Sequence, residues 1–124
     1  MVTEPHHTKT NAEIRKWYLK QVASIADLNE EWIRQGLLPR ERAQKAWRLR
    51  HEARIKARSM MADPVEVDLL RTRDLVKYGN ADGPTFKFLV ERLSQVGLAD
   101  EELYEAIVDN SYRTDAELSR KLGL

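Results

Sequence analysis

Apolar residues recur at every third and fourth position through most of this chain, and each run breaks at a glycine or a proline. That spacing collects side chains on one face of an α-helix and commits the chain to helices. Ile14, Trp17, Tyr18, Val22, Ile25, Leu28, Trp32 and Ile33 fit one long helix, with Asn11 as its N-cap and an end near Gly36. Pro39 opens a second helix that reaches about Ala62. Asp63-Pro64-Val65-Glu66 supplies a cap, a first-turn proline and a carboxylate for a third, which runs to Tyr78 and stops at Gly79. The turn formers from Gly79 to Pro84 predict a loop. Pro84 restarts a helix carrying Phe86, Leu89, Val90, Leu93 and Val96, closed by Gly97. Asp100 caps a short fifth helix with Leu103, Ala106 and Ile107, and Thr114-Asp115-Ala116-Glu117 is a capping box for a last one ending at Gly123. No run alternates as a half-buried strand requires. The pattern predicts an all-α, compact orthogonal bundle of five or six helices without a sheet. Residues 11–124 form one domain behind a flexible leader, residues 1–10, that holds Pro5, His6 and His7.

A chain of 124 residues suits a single domain with its own core. It has no cysteine, which excludes a disulfide framework, a thiolate zinc site and a cysteine nucleophile. No apolar run approaches the roughly 18 residues needed to span a bilayer. The first residues also lack the apolar stretch of a secretory signal. The net charge of +1 hides a split: 13 basic and 7 acidic side chains fall in residues 1–62, against 8 and 13 in residues 63–124. Such asymmetry predicts a basic face rather than a basic protein.

The basic charge concentrates on the second helix. Turning about 100° per residue from Ala46 places Leu49, Ala53, Ala57 and Met60 in one core stripe. Arg50 falls inside that stripe, with Ala43 and Met61 beside it, and needs a buried carboxylate or a bound anion. Trp47, His51, Arg54 and Arg58 follow as a basic-aromatic shoulder. Two readings fit the shoulder: a solvated face whose arginine stems cover apolar surface, or a phosphate-binding surface with Trp47 stacked on a base.

On the third helix Arg71, Asp74 and Tyr78 share a face with Val67 and Leu70, while Val65, Leu69, Thr72 and Val76 make the opposite face apolar too. Apolarity on two sides predicts a central helix and partly buried charges. An Arg50–Asp74 or Arg71–Asp74 bridge would satisfy them. The alternative is a cleft under the 79–84 loop, with Asn80, Asp82 and the start of the next helix nearby. Elsewhere Tyr112 and Arg113 could complete a site or anchor a loop. His51 could act as a base near a phosphodiester or lie idle in solvent. His6 and His7 read as incidental. No metal-ligand spacing and no phosphate-loop or nucleophile-elbow motif occurs.

Three stretches resemble the variable C-terminal toxin tips of bacterial RHS (YD-repeat) polymorphic toxins. They are the run from Arg71 through Tyr78-Gly79-Asn80-Ala81-Asp82-Gly83-Pro84 to Phe86, the closing run Tyr104–Asp115, and the basic helix Trp47–Met61. The resemblance implies a secreted antibacterial effector, delivered by a contact-dependent or type VI route into the target-cell cytoplasm and neutralised by a cognate immunity protein. The chain would be an excised tip or a free-standing relative.

Two function classes follow. In the first, the chain is a metal-independent enzyme acting on nucleic acid or a nucleotide-like anion. Arg50, Arg54 and Arg71 hold phosphates, Asp74 or His51 serves as acid or base, and Tyr78, Asn80 and Asp82 orient substrate. In the second, it is a non-enzymatic helical module whose basic second helix binds nucleic acid or an acidic partner protein.

Overall fold

The computed structural model describes residues 9–124, which form six helices and, among the described residues, no strand. The expected leader, apart from Lys9 and Thr10, lies outside the described residues, as do His6 and His7.

Helix α1, Asn11–Arg34, begins one residue earlier in its capping than the sequence suggests. Thr10, not Asn11, is the N-cap; its hydroxyl accepts from the Glu13 amide while the Glu13 carboxylate accepts from the Thr10 amide. The reciprocal bonds need a glutamate three residues on, which Thr10 has and Asn11 lacks. Helix α2, Pro39–Ser59, ends short of Ala62. Helix α3, Pro64–Tyr78, carries the expected Asp63 cap and stops at Gly79, whose φ of +71° suits a residue without a Cβ. Helix α4, Phe86–Gln95, starts after Pro84: Thr85 caps it by accepting from the Phe88 amide. In α5, Asp100–Ser111, Asp100 is the first helical residue and Ala99 precedes it without a side-chain cap. Helix α6, Asp115–Lys121, carries the Thr114–Glu117 capping box.

Helix α2 is the axis of the fold, packed against α1 on one side and α5 on the other, with α4 and α6 resting on α5. The larger core gathers Ala43, Trp47, Leu89, Leu93, Leu103, Ile107, Leu118 and Leu122. A second cluster, Ile14, Tyr18, Val22, Ala53 and Ala57, seals α1 to α2. Full burial of each large aliphatic side chain is worth about 1.5–3 kcal/mol, so these clusters carry most of the stabilisation.

Helix α3 is not central. Its outer face is open to solvent, with Val65, Leu69, Leu75 and Val76 all more than half exposed. Its inner face is anchored at Asp74 and Tyr78, and Glu66 accepts from Asn11 Nδ2 at 2.5 Å. Apolar residues on two faces thus mark one face that packs and one that does not.

Candidate functional site

Four arginines on one side of α2 are buried: Arg42, Arg50, Arg54 and Arg58. A helix that turns its arginines inward must give each guanidinium a partner, and here every partner lies on a different element. Arg42 donates to the Leu37 carbonyl, to Asn29 Oδ1 at 3.1 Å and to Glu105 at 2.6 Å. Arg50, with no exposed surface, donates to the Ser111 carbonyl at 2.8 Å, the Arg113 carbonyl at 2.6 Å and Asp115 at 2.7 Å. It therefore stabilises the negative C-terminal end of α5 and fixes the turn into α6. Arg54 donates to the same Asp115 oxygen at 2.7 Å. Arg58 donates to the Ala81 carbonyl at 2.8 Å and to the buried carboxylate of Asp74.

Neither bridge expected for Asp74 from the sequence forms. Arg58 takes that role, with a longer contact from Arg73 at 3.3 Å. The reason is rotational: Arg58 leads the second helix's shoulder toward α3, while Arg50 points toward the α5–α6 turn. Arg71 lies on the exposed side of α3 and pairs with Asp82 at 2.5 Å. Tyr78 is buried, edge-on to Phe88, and its hydroxyl shares a hydrogen bond with Ser119. Arg71, Asp74 and Tyr78 thus look in different directions and build no common cleft. Asn80 accepts from the Asp82 amide, an ordinary turn closure. Arg113 pairs with Asp109 on the preceding turn at 2.7 Å.

The shoulder is not a solvated surface either. Trp47 is 4% exposed, and its indole Nε1 donates to the Pro84 carbonyl at 2.9 Å, which fixes the ring in the core. His51 is half-buried beside an open hollow of 450 Å³ shared with Gln44, Trp47, Arg48, Thr85 and Phe86. Leu49, expected in the core stripe, is 36% exposed.

Two of the buried arginines, Arg54 and Arg58, line a pocket that sequence reasoning did not locate. It has a volume of 340 Å³ and lies between α1, the C-terminal half of α2, α3 and the start of α6. Arg15, Arg54, Arg58, Arg73, Glu66 and Asp115 supply its charges, with Tyr18 and Thr114 as further polar groups. Ile14, Leu19, Ala57, Met61 and Leu70 make the remainder of the wall apolar. Four guanidiniums face two carboxylates. Arg50 and Asp74, behind the wall, add one charge of each sign and leave the excess of two positive charges intact.

The ionisation states follow from these neighbours. Burial alone would raise the Asp115 carboxyl, but the Arg54 and Arg50 guanidiniums outweigh it and hold the group below the usual aspartate range. At Tyr18 burial acts in the same direction and wins: it raises the phenol above its ordinary value despite the nearby Arg50 and Arg54. Tyr18 therefore stays protonated near neutral pH and donates to Asp115 at 3.2 Å. Burial would loosen the Arg54 proton, but the Tyr18 oxygen, Asp115 and Asp74 more than offset it. The site thus combines fixed cations, the two carboxylates of Glu66 and Asp115, and one phenol. Those groups can bind an anion and stabilise charge that develops on it.

The 79–84 loop locks the arginines in place. A Cβ on Gly83 would stand 1.7 Å from Arg54 Nη1, and the residue has φ +94°. Only glycine lets the loop close over that guanidinium.

Sequence reasoning missed Arg42 in the buried network and, at the pocket, Tyr18, Asp115 and the rim arginines Arg15 and Arg73. Arg42 sits on the same core stripe as Arg50, so the helical wheel contained its signal. Tyr18 read simply as a core position of α1, and Asp115 as one residue of a capping box. Nothing local marks either as the partner of arginines on another helix. Among the described residues, no group of three or more histidine, aspartate or glutamate side chains is placed to hold a metal ion. No described helix is long and apolar enough to cross a membrane. No protein-family model, curated protein or solved structure matches this chain.

Proposed function

We propose that this chain is the toxic domain of an antibacterial effector, acting on a phosphate-bearing substrate of the nucleic acid or nucleotide class and neutralised by an immunity protein. The observation that carries the substrate class is the pocket's uncompensated positive charge beside an apolar wall. The effector role rests on the resemblance to RHS toxin tips. Arg54 and Arg58 are preorganised by Asp115 and Asp74, so they meet an anion without first paying to become ordered. Arg15 and Arg73 are exposed at the rim and draw the substrate in. The Tyr18 hydroxyl donates to Asp115 and, with Arg50 and Arg54, orients that carboxylate beside the bound group. The working centre is therefore Tyr18, Arg54, Arg58 and Asp115 rather than the Arg71–Asp74–Tyr78 face, because Asp74 is only 1% exposed and cannot touch a substrate.

Expression in a bacterial host without an immunity partner tests this reading. Wild type should arrest growth, while Arg73→Glu and Arg15→Glu, which reverse exposed rim charges, should relieve the arrest at equal soluble protein levels. An innocuous wild type would remove the effector role. Undiminished toxicity in both variants would remove this pocket as its centre.

A further inference from the structure

We propose that the pocket selects a phosphate monoester on a nucleoside, either a mononucleotide or a phosphorylated strand end, over the internal diester of a nucleic acid. The proposal rests on the anionic-substrate reading above and makes it more specific. Charge matching supplies the first argument. A monoester carries about −1.5 to −2 at neutral pH, whereas each internal diester carries a single charge. The excess of two positive charges in the wall is balanced by the former and only half balanced by the latter.

Hydrogen-bonding capacity supplies the second. Asp115 Oδ1 alone receives Arg50, Arg54 and the Tyr18 hydroxyl. Arg54 is only 3% exposed, yet its Nε has no hydrogen-bond partner. That atom is enclosed, as is the equally unpaired Arg50 Nε, but the Arg54 guanidinium lines the pocket with its one hydrogen bond, from Nη2, made to Asp115, and an acceptor-rich group suits it. A monoester presents three terminal oxygens, against two on a diester.

Size and wall chemistry supply the third. A volume of 340 Å³ is at the small end of ligand pockets, about 300–1,000 Å³, and suits one nucleotide rather than a strand. Ile14, Ala57, Met61 and Leu70 offer the base or sugar an apolar surface within the same wall.

Titration calorimetry on the full chain tests the idea with five probes: adenosine 5′-monophosphate, adenosine, inorganic phosphate, and a short single-stranded oligonucleotide with a 5′-phosphate or a 5′-hydroxyl. The monophosphate should bind at least tenfold more tightly than adenosine and than inorganic phosphate, and the 5′-phosphorylated oligonucleotide at least tenfold more tightly than its hydroxyl twin. Arg73→Gln and Arg15→Gln, both at exposed positions, should each weaken monophosphate binding roughly tenfold, and Arg15→Gln, which removes no contact to a buried carboxylate, should do so without lowering the melting temperature. Equal affinity for the two oligonucleotides, or for the monophosphate and adenosine, would overturn the monoester selection. Inorganic phosphate binding as tightly as the monophosphate would overturn the role of the apolar wall. Binding indifferent to end chemistry in a protein that still arrests growth would sink this inference alone. Monophosphate binding by a protein that does not arrest growth would sink the effector reading alone.

Discussion

Arg58→Met is the sharpest test of the buried charge network. Arg58 is 9% exposed and Asp74 is 1% exposed, so the substitution leaves a carboxylate in the interior. Its remaining ion-pair partner is Arg73, whose side chain is 47% exposed and whose contacts are long, at 3.3 and 3.4 Å. Removing one member of a buried pair costs about 3–5 kcal/mol, because the other charge stays desolvated. The Ala81 carbonyl also loses the donor that holds the 79–84 loop. At about 4 °C per kcal/mol for a domain of this size, the melting temperature should fall by about 12–20 °C. The double variant Arg58→Met/Asp74→Leu removes both charges and should recover much of the loss. It should remain about 1–3 kcal/mol below wild type for the unsatisfied Ala81 carbonyl. Urea unfolding followed by circular dichroism measures all the species, with near-ultraviolet spectra confirming native packing. A loss under about 1 kcal/mol for Arg58→Met, or a double variant as unstable as the sum of its parts, would refute the buried-pair reasoning.

Three further outcomes follow from the same geometry. Gly83→Ala places a methyl against the Arg54 guanidinium at a left-handed φ; a loss of at least about 2 kcal/mol in urea unfolding is expected, and a neutral result would show the loop does not clamp Arg54. Asp115 titrates below its unfolded value, so its contribution is fully present above about pH 4 and is lost as pH falls through the folded-state value. The stability gap between wild type and Asp115→Asn should therefore be wide at pH 7 and narrow at pH 3; a constant gap would contradict the pairing. Leu69→Lys and Val76→Lys, at positions 67% and 81% exposed, should each shift stability by no more than about 0.5 kcal/mol, and a loss above about 1.5 kcal/mol would return α3 to the centre of the fold.

What was legible in the sequence was whatever local chemistry decides. Caps, first-turn prolines and closing glycines placed the helices to within about three residues, because each signal acts through the backbone next to it. Arg50 was recognisable as a charge that needed a partner, since a helical wheel reports the direction of a side chain. The wheel does not report what lies in that direction. Asp115 is 65 positions away from Arg50, and pairing across such a separation depends on how α6 folds back over α2. Helix α3 fails in the opposite sense: its second apolar face looks buried to any periodicity argument, yet no other element arrives to cover it.

The arginines of α2 also show why structure and candidate chemistry resist separation here. A core aliphatic residue stabilises through area alone and can be exchanged for another of similar volume. Arg42, Arg50, Arg54 and Arg58 instead each bind a specific carbonyl or carboxylate on another segment, so together they define where the α1–α2 turn, the α5–α6 turn and the 79–84 loop sit. The same bonds preorganise Arg54 and Arg58 at the pocket. A ligand that supplies acceptors to Arg54 should therefore stabilise the fold by mass action, about 2.7 kcal/mol at a hundredfold excess over its Kd. For this chain a rise in melting temperature with adenosine 5′-monophosphate, absent with adenosine, is the expected signature of an anion held at the Arg54 and Arg58 guanidiniums.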